Sequence, residues 1–538
     1  MDMKRSIKIL STTLALALLV VCACSPEEVP SDPERDVTPA QDKDNYTVKG
    51  TVACDGTPLP GVLVSDGRNV AVTDLNGHYW LKSSSADDIV FVSIPSGYEV
   101  PVADNSWEPG FWYALDQEKL AAGGVQTFDF TLTKVNNDDF RLMVMTDVHI
   151  RGRHESIGTQ LIDSVIFINS VRPATKTWRE ADRSLPTYGI VLGDMIQDAY
   201  IKKHNTGLPE YKALLRGWGY PLFHIPGNHE FATADGHGAS ASDPENRASR
   251  EYYRRHLGPT YYSFNLGKVH FVMLDGTRLT GNKTSEYSCE VSPRQLRWLR
   301  QDLIKAFSKN RQDRPEKLVV CCHQPFFLYK TKNSISGCIT NRNAVLEIIA
   351  DAMIKEVVVL SGHIHFSDIV NDVAANSVKV NQYTHSALCG PFWIQNYNWD
   401  DSPNGWTEYR FSGTTFSRKQ YGYEPEYDKP VIVYKEDIGD VDGKDSLIVN
   451  IPAYEKGWSV KVQKNLGTAT TLSPVSIKAP RYTEFYNKNI NAYNGSHAIT
   501  PRANVCHFFL YEILDKNAEY TLQVTSPDGN VYTDKVSY

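Results

Sequence analysis

The chain has 538 residues, 41% of them hydrophobic, and a formal net charge of −7. That length exceeds what a single core organises, so several domains are expected. The acidic balance argues against nonspecific nucleic-acid binding by the surface as a whole, and no specific nucleic-acid partner is expected.

The chain opens with Lys4, Arg5 and Lys8 before an apolar stretch from Ile9 to Val21, which is short for a membrane span and reads as a secretory signal. Val21-Cys22-Ala23-Cys24 resembles a bacterial lipobox. The resemblance implies a signal over residues 1–23, cleavage after Ala23 and lipidation of Cys24; the competing reading is a plain signal peptide cut nearby. With lipidation, a membrane-held protein of the bacterial cell envelope is expected, facing either the periplasm or the outer-membrane surface. Residues 24–45 are rich in proline and acid and poor in large apolar side chains, the composition of a flexible tether. No later run is long enough to cross a bilayer as a helix.

Residues 46–135 alternate short apolar runs with the turns Asp55-Gly56, Pro60-Gly61, Asp66-Gly67 and Asn76-Gly77, which predicts a small β-sandwich. The strings VKGTVACDGTPLPGVLVSDG and VTDLNGHYWL resemble transthyretin-like or carboxypeptidase-regulatory modules.

Across residues 138–385 the pattern changes. Phe140 to Met145, Tyr188 to Leu192, Leu222 to Ile225, Leu318 to Cys322 and Val357 to Leu360 are short, continuous and largely aliphatic, as strands buried on both faces should be. Between them Ser292 to Ser308 places Leu296, Leu299, Leu303 and Phe307 on one helical face, with Ser292 as N-cap and Pro293 at the first position. Alternating strands and helices predict α/β layering, in which ligands bind beyond the carboxyl ends of the strands. Each strand-like run ends in a polar cluster: Asp147-Val-His149, Gly193-Asp194, Gly227-Asn228-His229-Glu230, His323 and Gly362-His363-Ile-His365. On an extended backbone Asp147 and His149 point to one side, and His363 and His365 repeat the device. Histidine, carboxylate and amide oxygen suit Mn, Fe or Zn, and Asp194 at a strand end is placed to bridge two ions. Two ions about 3.5–4 Å apart would activate a bridging hydroxide and clamp the oxygens of an in-line displacement. His224 and His270, inside strand-like runs, read as core histidines, and Cys321 and Cys322 as small buried hydrophobes.

The ordered set D-x-H, G-D, G-N-H-E, H and G-H-x-H resembles the calcineurin-like metallophosphoesterases. The resemblance implies a four-layer α/β/β/α core with two divalent or trivalent ions. Asp147, His149, Asp194 and His365 would hold one, and Asp194, Asn228, His323 and His363 the other. It further implies that His229 protonates the leaving group, its imidazole oriented by Glu230 or by another carboxylate such as Asp198. The implied reaction is hydrolysis of a phosphate mono- or diester by a metal-bridging hydroxide, with a phosphorylated small molecule or glycan as substrate. Arg151 and Arg153 stand just past the first ligand pair, either as bidentate binders of phosphate or as solvated loop charges. Trp393, in the aromatic stretch GPFWIQNYNW, either lines a substrate pocket or belongs to a domain interface.

Residues 386–538 form a β-rich tail of runs such as SLIVNI, WSVKVQ, CHFFLYEI and YTLQVT; its first part, to about residue 424, is a candidate to complete the catalytic layer. The cysteines left after signal removal and lipidation are odd in number and show no paired zinc spacing. The competing functional class is an envelope-anchored lipoprotein that binds a glycan or protein and keeps the metal site as structure or relic. A closed structural site rarely needs a histidine such as His229 beside a bridging carboxylate, which favours the enzyme.

Overall fold

The computed structural model describes residues 37–102, 106–150, 163–197, 207–231, 246–281, 285–331, 334–441, 444–489, 501 and 505–538. Cys24, Arg151, Arg153 and Asp198 lie outside the described residues.

The Asp139–Met145 strand organises the centre. Its alternation sends Phe140, Leu142 and Val144 into one apolar cluster and Met143 and Met145 into another. On one edge it pairs in parallel with Thr187–Val191, which pairs with Leu222–His224; on the other it meets Gly405–Ser412 antiparallel, followed by Thr415–Gly422. A second sheet runs in the order Tyr262–Leu266, Val269–Leu274, Lys317–Cys322, Glu356–Ser361, Val378–Thr384, Asp368–Ala375, with its middle four strands parallel. The two sheets face each other through aromatic rings. Phe223 stacks on Phe264 at 3.9 Å between centroids, and Phe140 meets Phe271 edge-on at 6.3 Å.

Helices cover the outer faces and make the core four-layered, α/β/β/α. Pro293–Ala306 starts on Ser292, whose hydroxyl accepts from Gln295 N–H at 3.3 Å, and it buries Leu299 and Leu303 together with Phe307 just beyond its end. Trp298 is also fully buried there, edge-on to Phe91 of the N-terminal module at 6.2 Å. On the first sheet, Arg172–Ala181, Leu208–Leu214 and Arg247–Leu257 bury Trp178, Tyr211, Tyr253 and Leu257 against Met143 and Met145.

Flanking β-rich regions are fastened to this core. The N-terminal one is built around Val48–Cys54 and Leu63–Ser65, and it packs Phe111 on Tyr262 at 4.8 Å while Asp88 pairs with Arg247 at 2.8 Å. The C-terminal one has two four-stranded sheets; its His507 bridges Asn450 at 2.7 Å and Asp400 at 3.1 Å, and its Tyr434 donates to Asp401 at 2.7 Å. Among the described residues no helix is long and apolar enough to cross a membrane.

Candidate metal centre

Parallel strands in both sheets end on one rim, and the loops that follow bring the polar clusters together. Asp194 Oδ2 lies 3.0 Å from His323 Nε2 and 3.7 Å from His149 Nε2. Asp147 Oδ1 lies 3.2 Å from His365 Nε2 and 3.7 Å from His149 Nε2, while His149 and His365 bring their Nε2 atoms within 3.1 Å. His363 Nδ1 stands 3.2 Å from His323 Nε2. Among the described residues three groups, His149 with Asp194 and His229, Asp194 with His323 and His363, and His149 with His365 and Cys389, each gather ligand atoms within 4.8 Å. Asn228 is buried between Gly227 and His229, whose N–H bonds Asp194 Oδ1 at 3.0 Å.

The local geometry differs from the extended segments expected from the sequence. The strands stop before the ligands, and Asp147 (φ 52°), His149 (φ 47°), Asp194 (φ 52°), His363 (φ 76°) and His365 (φ 55°) all adopt left-handed backbone. Non-glycine residues avoid this region, and their clustering at one site is strain that surrounding contacts must hold. The side chains converge because the backbone curls, rather than because alternate residues share a strand face. Close approach also demands glycine twice. A Cβ on Gly227 would strike the Asp194 carboxylate, and one on Gly362 would strike Thr146 Oγ1 and sit 2.7 Å from Asp147 Oδ2.

His323 and His365 are aimed by their second nitrogens. His323 Nδ1 meets the Leu192 carbonyl at 2.6 Å and His365 Nδ1 the Gly390 carbonyl at 3.0 Å, which leaves both Nε2 atoms for the centre. Burial alone would lower His323, yet Asp194 beside it lifts it to about 9; His365, likewise buried, is raised well above its ordinary value by Asp147. Burial takes His149 down to about 4 and His363 to about 3, so these two rings are neutral. Burial would raise both carboxyls, but His365 holds Asp147, and His323 holds Asp194, well below the usual range.

The donor set fits divalent ions. Asp147 Oδ1 is buried without a hydrogen-bond donor while imidazole nitrogens surround it, and the close pairs of ring nitrogens are what lone pairs directed at a shared cation look like. Asp147, His149, Asp194, His323, His363 and His365 are thus brought together.

Glu230 does not orient the His229 ring, and Asp198, the alternative, lies outside the described residues. His229 Nδ1 meets the Gln197 carbonyl, leaving Nε2 4.0 Å from Asp194 Oδ2. Glu230 instead ties two ligand loops together, accepting from Gly227 N–H (2.7 Å), Asp194 N–H (3.0 Å), Met195 N–H (2.7 Å) and Ile196 N–H (3.2 Å). Trp393 is corrected as a substrate-lining residue: it is 3% exposed, and its indole donates to the Val148 carbonyl at 2.9 Å, under the first ligand loop. Its neighbour Phe392 is the ring against His149 and His365, 5.1 Å from each, and Trp399 stacks on His365 at 4.8 Å. A backbone carbonyl such as that of Gln197 has no sequence signature, whereas the aromatic stretch around Phe392 was visible. His224 and His270 are core residues, the first bonded to Tyr211 at 3.0 Å, the second to Asn265 at 2.7 Å and Asp302 at 2.9 Å.

Three family models match the chain: calcineurin-like phosphoesterase over residues 140–367, N terminal of calcineurin-like phosphoesterase over 46–135, and C terminal of calcineurin-like phosphoesterase over 382–532. The chain belongs to the calcineurin-like phosphoesterases and carries both companion regions of that family. It is a metal-dependent phosphoesterase, a hydrolase. Among solved structures it is similar to a purple acid phosphatase of yellow lupin (Lupinus luteus), at 11% identity over 72% of this chain and 71% of that one, with a TM-score of 0.34. It is also similar to the 5'-nucleotidase of Candida albicans, at 13% identity over 54% and 52% of the two chains with a TM-score of 0.32, so the match spans about half of that nucleotidase. The calcineurin-like phosphoesterase YfkN of Bacillus subtilis is similar at 12% identity over 54% and 92%, with a TM-score of 0.28. No curated protein sequence matches the chain.

Proposed function

We propose that the chain hydrolyses phosphate esters at a dinuclear centre. Asp147, His149, Asp194 and His365 hold one ion, and Asp194, Asn228, His323 and His363 hold the other. The observation that carries this is the place of Asp194, whose Oδ2 lies between His323 Nε2 at 3.0 Å and His149 Nε2 at 3.7 Å, so one carboxylate serves both groups of imidazoles. When bound, two such ions supply Lewis acidity that activates water and neutralises charge on the phosphoryl oxygens. The rest falls to the chain itself. Gln197 fixes the His229 ring through Nδ1, so the proton available to a departing alkoxide is the one on Nε2, 4.0 Å from Asp194 Oδ2. Glu230 keeps the Asp194 loop in register with the His229 loop, and Trp393 props the loop that bears Asp147 and His149.

The proposed setting is the bacterial cell envelope, with Cys24 lipidated and a phosphorylated small molecule or glycan as substrate. Cys24→Ala should move the protein from the membrane pellet to the soluble fraction, and continued sedimentation with membranes would count against the anchor. For the activity, the purified protein is assayed on p-nitrophenyl phosphate and on bis(p-nitrophenyl) phosphate with Mn, Fe or Zn. Hydrolysis of either, abolished in Asp194→Ala, supports the reading and separates monoesterase from diesterase. A chain that binds both ions and cleaves neither ester would refute it for these substrate classes, and activity untouched by Asp194→Ala would refute the bridging role.

A further inference from the structure

His363 is aimed differently from the other histidines of the centre. His323 and His365 each lean on a main-chain carbonyl, at 2.6 Å and 3.0 Å, whereas His363 Nε2 meets the phenol oxygen of Tyr287 at 3.0 Å. The two rings stand edge to face, 6.0 Å apart. Hydrogen bookkeeping at His363 then has one solution. Its Nδ1 faces His323 Nε2 at 3.2 Å. With an ion held by His363, Nδ1 would have to present a lone pair to it. The single ring hydrogen of the ligating imidazole would then sit on Nε2, where Tyr287 is its acceptor.

We propose that Tyr287 is a positioning residue that selects the His363 tautomer, accepting the Nε2 hydrogen so that the Nδ1 lone pair turns toward Asp194 and His323. The inference rests on the assignment of His363 as a metal ligand. The phenol is well placed to do this because its own strand is fixed independently. Tyr287–Cys289 pairs antiparallel with Thr277–Leu279, putting Tyr287 opposite Leu279, whose N–H bonds Asn246 Oδ1 at 2.9 Å. At the other end the Cys289 carbonyl accepts from Thr340 N–H at 2.9 Å and from Thr340 Oγ1 at 3.0 Å. A hairpin pinned at both ends thus carries the oxygen to His363. Because that support is a side chain rather than backbone, one substitution can remove it without disturbing a ligand. Its position is also absent from the strand-end clusters that announce the ligands, since Tyr287 precedes His363 by 76 residues on a separate hairpin.

The test is Tyr287→Phe in the full-length protein, which keeps the ring and deletes only the oxygen. Zinc affinity is measured by competition with a chromophoric chelator, resolving the two sites. The expected result is two ions per chain in the unmodified protein, with affinity at one site roughly 10- to 100-fold weaker in the variant, the range for loss of a partner behind a ligating histidine. Unchanged affinity at the other site serves as the control for folding. Wild-type affinities at both sites in Tyr287→Phe would overturn the inference, and so would equal losses at both, which would mark the residue as merely structural. An unmodified protein that takes up no zinc would instead refute the dinuclear reading, and the inference with it.

Discussion

Replacing Glu230 by glutamine probes how the centre is held without touching any ligand. The carboxylate is fully buried and receives four backbone N–H groups, Met195 and Ile196 on Oε1 at 2.7 and 3.2 Å, Gly227 and Asp194 on Oε2 at 2.7 and 3.0 Å. Glutamine keeps one oxygen and puts an amide NH2 in place of the other. In the better orientation the oxygen still serves Met195 and Ile196, while the N–H groups of Gly227 and Asp194 face a donor. Each buried donor left without an acceptor costs about 1–3 kcal/mol, so the variant should lose roughly 2–6 kcal/mol from a total stability of about 5–15 kcal/mol. For a unit of this size that is a fall in Tm of roughly 5–15 °C. The Asp194 loop would also detach from the His229 loop, so metal affinity should fall together with stability. Near-UV circular dichroism on the metal-free protein gives the first quantity, and chelator competition gives the second. A variant that melts within about 2 °C of the parent and binds both ions normally would show that the four bonds are not what holds the two loops together.

His229→Ala should lower kcat by about 10²- to 10⁴-fold on an alkyl phosphate and far less on p-nitrophenyl phosphate, whose leaving group needs no proton; equal losses on both would contradict the proton-donor role. Ion binding at pH 7 should release about two protons, because His323, raised to about 9 by Asp194, and His365, raised well above its ordinary value by Asp147, are protonated in the metal-free protein, so affinity should weaken as pH falls. Calorimetry in buffers of different ionisation heat reads that number, and no release would contradict the assignment. The same raised His323 stabilises the metal-free fold below its ordinary value of 6.5 and loses that contribution as pH rises through about 9, so metal-free Tm should decline over that window while loaded protein resists it. Gly227→Ala, whose new methyl group would occupy the space of the Asp194 carboxylate, should lose an ion in metal analysis and lose activity with it.

Much of the core was legible because strands buried on both faces write continuous apolar runs, and the loss of that pattern at Thr146, Gly193, Pro226 and Ser361 marks where the chain reaches the rim. The candidate ligands stood out by their chemistry, since few other roles bring Asp147, Asp194, His323 and His363 to strand ends, while their division between two ions came from the family resemblance. The left-handed backbone at Asp147, His149, His363 and His365 was not legible, because φ there is imposed by contacts from other loops, such as the Asp147 Oδ2 bond to His363 N–H at 2.9 Å. Supports were equally hidden. For Trp393 the sequence left a pocket ring and an interface ring both open, because it shows the residue's type and neighbours but not that its indole meets the carbonyl of Val148, 245 residues earlier. Gly405–Ser412 was legible as a candidate to complete the catalytic layer, whereas its antiparallel pairing with Asp139–Met145 is decided by the closed fold.

The central claim is that catalysis needs two ions sharing Asp194. Activity on the better p-nitrophenyl ester, followed while ions are added stoichiometrically to the metal-free protein, tests it most directly. The account predicts little turnover at one ion per chain, a steep rise as the second binds, and no such rise in Asp194→Asn; full activity at one ion per chain, or in Asp194→Asn, would contradict it.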